Sequence, residues 1–239
     1  MKMLRIGLIA EGKTDHIVLK ALLSAYVEIQ RPELDVQFVE IQPVADKTSQ
    51  NAGGGWTEVY KWCLQNPPAL RRSAYLGRAL FSEAVDATRC DLLVIVLDAD
   101  ASAKIATKST IPPPPPAPAP TARGAFICQT LDSWLWPNGL VDRHKHVTAA
   151  AVEAIETWLF SAFEKLEDAE MISDVDAQFA TSYYPAVGKP YQPGVKRVGK
   201  TEANYALISF AARPRINDVH ARCRHFQDMV GNVLIMADA

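Results

Sequence analysis

Asp91-Leu92-Leu93-Val94-Ile95-Val96-Leu97-Asp98-Ala99-Asp100 is an apolar run that stops abruptly at two carboxylates one residue apart. A run of this kind reads as a strand buried on both faces, with its acidic end delivered to the edge of a sheet. Its counterpart lies near the N-terminus, where Leu4 to Ala10 is apolar and ends at Glu11, followed by Gly12-Lys13-Thr14-Asp15. Parallel pairing of the two strands would bring Glu11, Asp98 and Asp100 together at the carboxyl edge, where open α/β sheets bind ligands. Three neighbouring carboxylates repel one another and resist desolvation, so either some stay protonated or a divalent cation sits among them. The cation is the working expectation.

Outward from these strands the chain alternates. Val18, Leu19, Leu22, Leu23 and Tyr26 recur at helical spacing, with Thr14 or Asp15 as N-cap and Pro32 beyond the end. Val36 to Ile41 is apolar enough to read as a second, interior strand. Gly53-Gly54-Gly55 reads as a loop, and two helical patterns follow, one on Trp56, Val59, Tyr60 and Cys63, the other on Leu76, Ala79, Leu80 and Val85. Residues 108–123 are rich in proline and read as a polyproline spacer inserted in the domain. A helix is expected over 126–136, a short strand over 147–152, and a helix from Glu153 toward Glu170. Beyond Ser173 the pattern weakens until two helices, Glu202 to Ala212 and Ile216 to Val230. The expectation is an α/β domain over 1–172, a small parallel sheet flanked by helices, and a largely helical C-terminal extension over 173–239.

The 239 residues suffice for a full core, and 49% hydrophobic with 22% charged residues describes an ordinary globular chain. The net charge of -2 predicts nothing about nucleic acid by itself, but Lys196 to Arg224 is locally basic, as would suit a phosphate backbone or a solvated helical face. Four scattered cysteines form no Cys-x-x-Cys pair and read as thiols in a reducing compartment. With neither a signal-like start nor an apolar run of membrane-spanning length, the expected location is the cytoplasm. His144-Lys145-His146 supplies two imidazoles without a third ligand, and His220-x-x-Cys223-x-His225 lacks the matching half of a zinc site.

Gly7 to Thr14 satisfies the spacing of a phosphate-binding P-loop. The physics opposes the match, because Leu8, Ile9 and Ala10 continue the strand through the supposed loop and Glu11 would face the phosphates. Glu11-Gly12-Lys13-Thr14-Asp15 with the later Asp98-Ala99-Asp100 instead resembles the TOPRIM superfamily, the metal-binding domain of topoisomerases, primases and several nucleases. With the glycine loop and Ile155-Glu156-Thr157-Trp158-Leu159, the chain is similar to small TOPRIM-like proteins related to OLD-type nucleases and phage defence. That resemblance implies a magnesium- or manganese-dependent nuclease. Glu11, Asp98 and Asp100 would be metal ligands, and Glu156 would complete a second site or act as base. Lys13, Lys196, Arg197 and Lys200 would hold the nucleic-acid backbone. Other classes share these residues: a P-loop nucleotidase dependent on Lys13, a haloacid-dehalogenase-like phosphatase with Asp98 as nucleophile and Asp100 as acid, and a non-catalytic module partnering an ATPase.

Overall fold

The computed structural model describes residues 2–43, 55–76, 88–114, 119–172, 174–191, 194–195 and 197–238. Among the described residues four strands, β1 (Lys2–Ile9), β2 (Leu34–Gln42), β3 (Leu92–Asp98) and β4 (His146–Ala151), form one all-parallel sheet in the order β2-β1-β3-β4. The α/β architecture is therefore as the alternating pattern predicts. Ile6 to Ile9 pairs with Leu92 to Ile95, and Leu93 to Asp98 pairs with His146 to Ala151. Every residue of β3 except Asp98 is buried, which explains the unbroken apolar run of a central parallel strand.

The second strand corrects one expectation. β2 is an edge strand, and Val36, Phe38 and Val39 are only half-buried. Apolarity alone did not distinguish a strand covered on its faces from one enclosed by neighbours on both sides.

Helices cover both faces. One apolar cluster joins Leu4, Ile6 and Leu8 of β1 to α1 (Lys13–Gln30), α6 (Glu156–Ser161) and the C-terminal helices α7 (Val175–Ala186), α8 (Glu202–Ala212), α9 (Ile216–Arg222) and α10 (Arg224–Asp238). The second cluster joins Ile9, Leu93, Ile95 and Leu97 to α2 (Trp56–Gln65) and α5 (Pro120–Leu135). Trp158 of α6 is fully buried with its ring 5.3 Å from that of Phe226 of α10, so residues on both sides of position 172 share one core.

Several helix expectations change. The helix predicted from Glu153 begins only at Glu156, because Glu153 has a positive φ of 63° and its carbonyl accepts the Asp100 amide at 2.9 Å. The single predicted helix over 216–230 is divided at Cys223, an extended residue between α9 and α10. α7 and α3 (Pro68–Ala74) were not anticipated, and α5 starts at Pro120, inside the proline-rich segment, where a helix tolerates proline in its first turn. The expectation for Ala79, Leu80 and Val85, like that for Gly53 and Gly54, lies outside the described residues.

Gly7 explains the accidental P-loop spacing. It lies inside β1, where an added Cβ would come within 2.6 Å of Leu93, 2.7 Å of Ile41 and 2.8 Å of Cys90. The glycine is there for close packing, so Gly7→Ala should cost about 1–3 kcal/mol of stability by overpacking. Denaturant unfolding measures this; an unchanged midpoint would show that the three neighbours yield freely.

Candidate functional site

The turn after β1 is only Ala10, Glu11 and Gly12 before α1 begins at Lys13. A register shift between Leu8 and Ile9 in the β1–β2 ladder precedes this turn, and the Ala10 amide then donates to Gln42 O at 2.8 Å. Gly12, not Thr14 or Asp15, is the N-cap of α1. Asp15 occupies the third helical position and its Oδ2 accepts the Gly12 amide at 2.8 Å, a charge-assisted bond favoured at a helix N-terminus.

Parallel pairing of β1 with β3 brings Glu11 beside the end of β3, where Glu11 Oε1 accepts the Asp98 amide at 2.9 Å. Asp98 in turn accepts the Ile155 amide through Oδ1 at 3.1 Å, tying the end of β3 to the turn after β4. Asp100 lies in a short helical turn, Ala99–Ala101, and is exposed. It is not the N-cap of the following helix α4 (Ser102–Ile105), whose cap is Ala101. Glu156 opens α6 and is 1% exposed. Its Oε1 accepts the Tyr205 hydroxyl and pairs with Lys200 Nζ at 3.0 Å, whereas its Oε2 is buried with no hydrogen-bond partner among the described residues.

Glu11, Asp15, Asp98, Asp100 and Glu156 thus share one region at the carboxyl edge of the sheet, and burial together with the neighbouring charges raises the pKa of the first four. Burial, opposed by the Asp98 amide and reinforced by Asp15 and Asp100, pushes Glu11 up to about 7. Burial and the Glu156 charge push Asp15 up to about 6 against the Gly12 bond and Lys200. Asp98 is raised well above the usual carboxylate range by burial and by Asp15, Glu11, Glu156 and Asp100 together. Asp100, though its surface is exposed, is raised as well, partial desolvation by the surrounding protein being the main cause and Lys200 the main opposing influence. For Lys200, burial favours the neutral amine, but Glu156, Asp98 and Asp15 outweigh it and raise its pKa.

The predicted site residues therefore separate. Glu11, Asp98, Asp100, Glu156 and Lys200 come together. Arg197 is exposed and paired with Asp176, Nε to Oδ2 at 2.9 Å, and Lys13 is exposed with Glu202 Oε1 3.9 Å from its Nζ. Lys196 lies outside the described residues. Asp15 and Tyr205 belong to the site although sequence reasoning did not place them there. Asp15 had a signal, being one helical turn beyond Glu11, but its capping role accounted for it fully. Tyr205 had none, since only packing of α8 against α1 and α6 brings it in.

The donor set is all oxygen, which suits a hard divalent cation such as magnesium or manganese, and the unpartnered Glu156 Oε2 is a buried acceptor still to be satisfied. Among the described residues no three acidic, histidine or cysteine side chains are already set as a metal-holding group. Glu11, Asp98 and Asp15 instead direct oxygens at backbone amides. The residues fit the cation in chemistry and charge, and holding it requires their side chains to turn.

The histidines that the sequence leaves without a full ligand set have other partners. His146 is bonded at both ring nitrogens, His220 stacks on Tyr26 at 4.8 Å, and His225 Nδ1 pairs with Glu170 at 2.7 Å.

Fold and site together define an α/β protein with an acidic cluster at the carboxyl edge of a parallel sheet. No protein-family model, curated protein or solved structure matches the chain.

Proposed function

We propose that this chain is a magnesium- or manganese-dependent nuclease of TOPRIM type, acting on nucleic acid in a reducing, cytoplasmic setting, with a phage-defence role and an ATPase partner as the context suggested by its sequence resemblance. The observation that carries the reading is the convergence of Glu11, Asp15, Asp98, Asp100 and Glu156 around Lys200. Such a concentration of negative charge, with Asp15 and Glu156 buried and Glu11 and Asp98 half-buried, is costly unless a multivalent cation offsets it.

Glu11, Asp98 and Asp100 would hold the metal, with Glu156 available to a second one or as a base. The bound cation would orient an attacking water and stabilise charge on the phosphoryl oxygens. Lys200, raised in pKa and fixed by Glu156, stays protonated and can meet a phosphate oxygen at the same place. Tyr205 holds Glu156 in position through its hydroxyl. Lys13 and Arg197, both exposed, contribute at most backbone contacts.

Two further facts favour this reading over a P-loop nucleotidase. The turn is three residues long, too short for a glycine-led nest, and the Gly12 amide that would face phosphate is already bonded to Asp15. Four free cysteines and the absence, among the described residues, of any helix long and apolar enough to cross a membrane are compatible with the proposed setting.

The direct test is cleavage of single- and double-stranded DNA and RNA by the purified chain in manganese, with chelator as control. Divalent-dependent cleavage is expected on at least one of the four. Inactivity on all four would overturn the reading of the isolated chain as a nuclease and favour the interaction module.

A further inference from the structure

At the opposite end of the sheet, the start of β4 faces a pocket of about 280 Å³ whose charge has no counterpart in the acidic cluster. His146 and Trp136 form one side of it. Behind them lies Arg71, a fully buried guanidinium of α3. Arg71 donates to His146 Nε2 at 3.0 Å, to Asn66 O at 2.6 Å and to Leu135 O at 2.8 Å, and it lies 5.5 Å from the Trp136 ring. All its polar partners are neutral. Among the described residues no carboxylate forms an ion pair with it, although the helix-terminal carbonyls supply partial negative charge.

Two more cations, Arg72 and Lys145, line the pocket, and neither makes an ion pair among the described residues. Lys145 has a positive φ of 63°, a conformation uncommon for a lysine, and its carbonyl is fixed by the Leu93 amide at 2.8 Å. Among the described residues Asp142 is the one carboxylate lining the pocket, and its Oδ1 is engaged by the His144 amide at 3.0 Å. Among the described residues, the three charges of Arg71, Arg72 and Lys145 against the Asp142 carboxylate leave a local positive excess in a chain of net charge -2. His146 cannot serve as a cation here, since it accepts from Arg71 and donates through Nδ1 to His144 O at 2.8 Å.

We infer that this pocket binds the phosphate group of a small organic phosphate monoester, with Arg72 and Lys145 on the phosphate and the Pro68, Leu76 and Trp136 surfaces against the organic part. The polar chemistry is that of phosphate recognition by a guanidinium fork and a point charge. The mixture of apolar wall and a few convergent charged groups is that of a small-molecule site. The volume suits a body of mononucleotide size. The site is separate from the acidic cluster by the length of β4, about 17 Å, and does not depend on the nuclease reading.

The test is calorimetric titration of the full chain with inorganic phosphate, adenosine 5′-monophosphate, and an oligonucleotide with and without a 5′-phosphate. Wild type should bind the monophosphate more tightly than inorganic phosphate. The exposed Arg72→Gln combined with Lys145→Asn, an amide side chain that tolerates the left-handed backbone, should weaken it at least roughly tenfold. Asp142→Asn should tighten it, and Asp98→Asn should leave it unchanged. Binding of the phosphorylated oligonucleotide but not the free monophosphate would place the monoester on a nucleic-acid end. Failure of every phosphate probe to bind, equal binding by the double variant, or loss of binding in Asp98→Asn would overturn the site. Melting curves of the variants establish that each is folded, and single Arg72→Gln and Lys145→Asn proteins replace the pair if it is not.

Discussion

Glu11→Gln should lower divalent-dependent cleavage roughly a thousandfold, the equivalent of a few kcal/mol of transition-state stabilisation, whereas Lys13→Ala should leave it within about fivefold, as for an exposed charge. The two residues are two positions apart yet play unrelated parts. Glu11 accepts the Asp98 amide and repels Asp15 and Asp100, so its charge is built into the cluster. Lys13 is on the surface with Glu202 as its neighbour. Under a P-loop chemistry the order would reverse, because Lys13 would cradle phosphates and Glu11 would only repel them. Under a haloacid-dehalogenase-like chemistry Asp98→Asn would abolish turnover and Glu11→Gln would be mild. Kinetics of cleavage and of ATP and phosphate-ester hydrolysis for the three variants separate the cases. ATP turnover lost with Lys13→Ala and retained with Glu11→Gln would reject the nuclease.

The metal-free protein should be less stable at pH 8 than at pH 5.5, and manganese should remove most of that difference. Glu11, Asp15, Asp98 and Asp100 all have pKa values raised by folding. The folded state therefore binds more protons than the unfolded state between the ordinary carboxylate range and the raised values. Stability falls as pH rises through that window, which for Glu11 extends to about 7 and for Asp15 to about 6. A bound cation would replace the protons, and its binding would release them. At about 100 times its dissociation constant the metal adds roughly 2.7 kcal/mol, or about 5–10 °C in Tm for a chain of this size. Asp98→Asn removes one charge while its amide oxygen can still accept from Ile155. Its metal-free Tm at pH 8 should be equal to or above wild type, with the manganese shift largely lost. Thermal unfolding with and without manganese at both pH values measures all of this. A large loss of metal-free stability would show that the Asp98 charge is structural, and an unchanged manganese shift would place any cation elsewhere.

The sheet and its acidic edge were legible because they depend on local pattern. β3 reads as central because six consecutive buried residues precede Asp98, and β1 reads as its partner for the same reason. The edge position of β2 was not legible, since Val36, Phe38 and Val39 are apolar for the helices over them, not for strands on both sides. α7 carries Val175, Phe179, Ala180 and Tyr183 at helical spacing, but Pro185 within it and the prolines beyond obscured the pattern. In the site, Glu11, Asp98 and Asp100 stand at strand ends that any parallel pairing would juxtapose. Lys200 and Tyr205 come from a segment about a hundred residues after Asp100, and no local signal connects them to Glu156. Their association is a property of packing alone.

The most direct measurement of the central claim is an anomalous difference map from crystals soaked in manganese. The account expects a peak bounded by the carboxylates of Glu11, Asp98 and Asp100, with Glu11 turned from the Asp98 amide toward the ion and Asp98→Asn crystals lacking the peak. A map with no ion there at saturating manganese, and Lys200 still the cluster's cation, would contradict it.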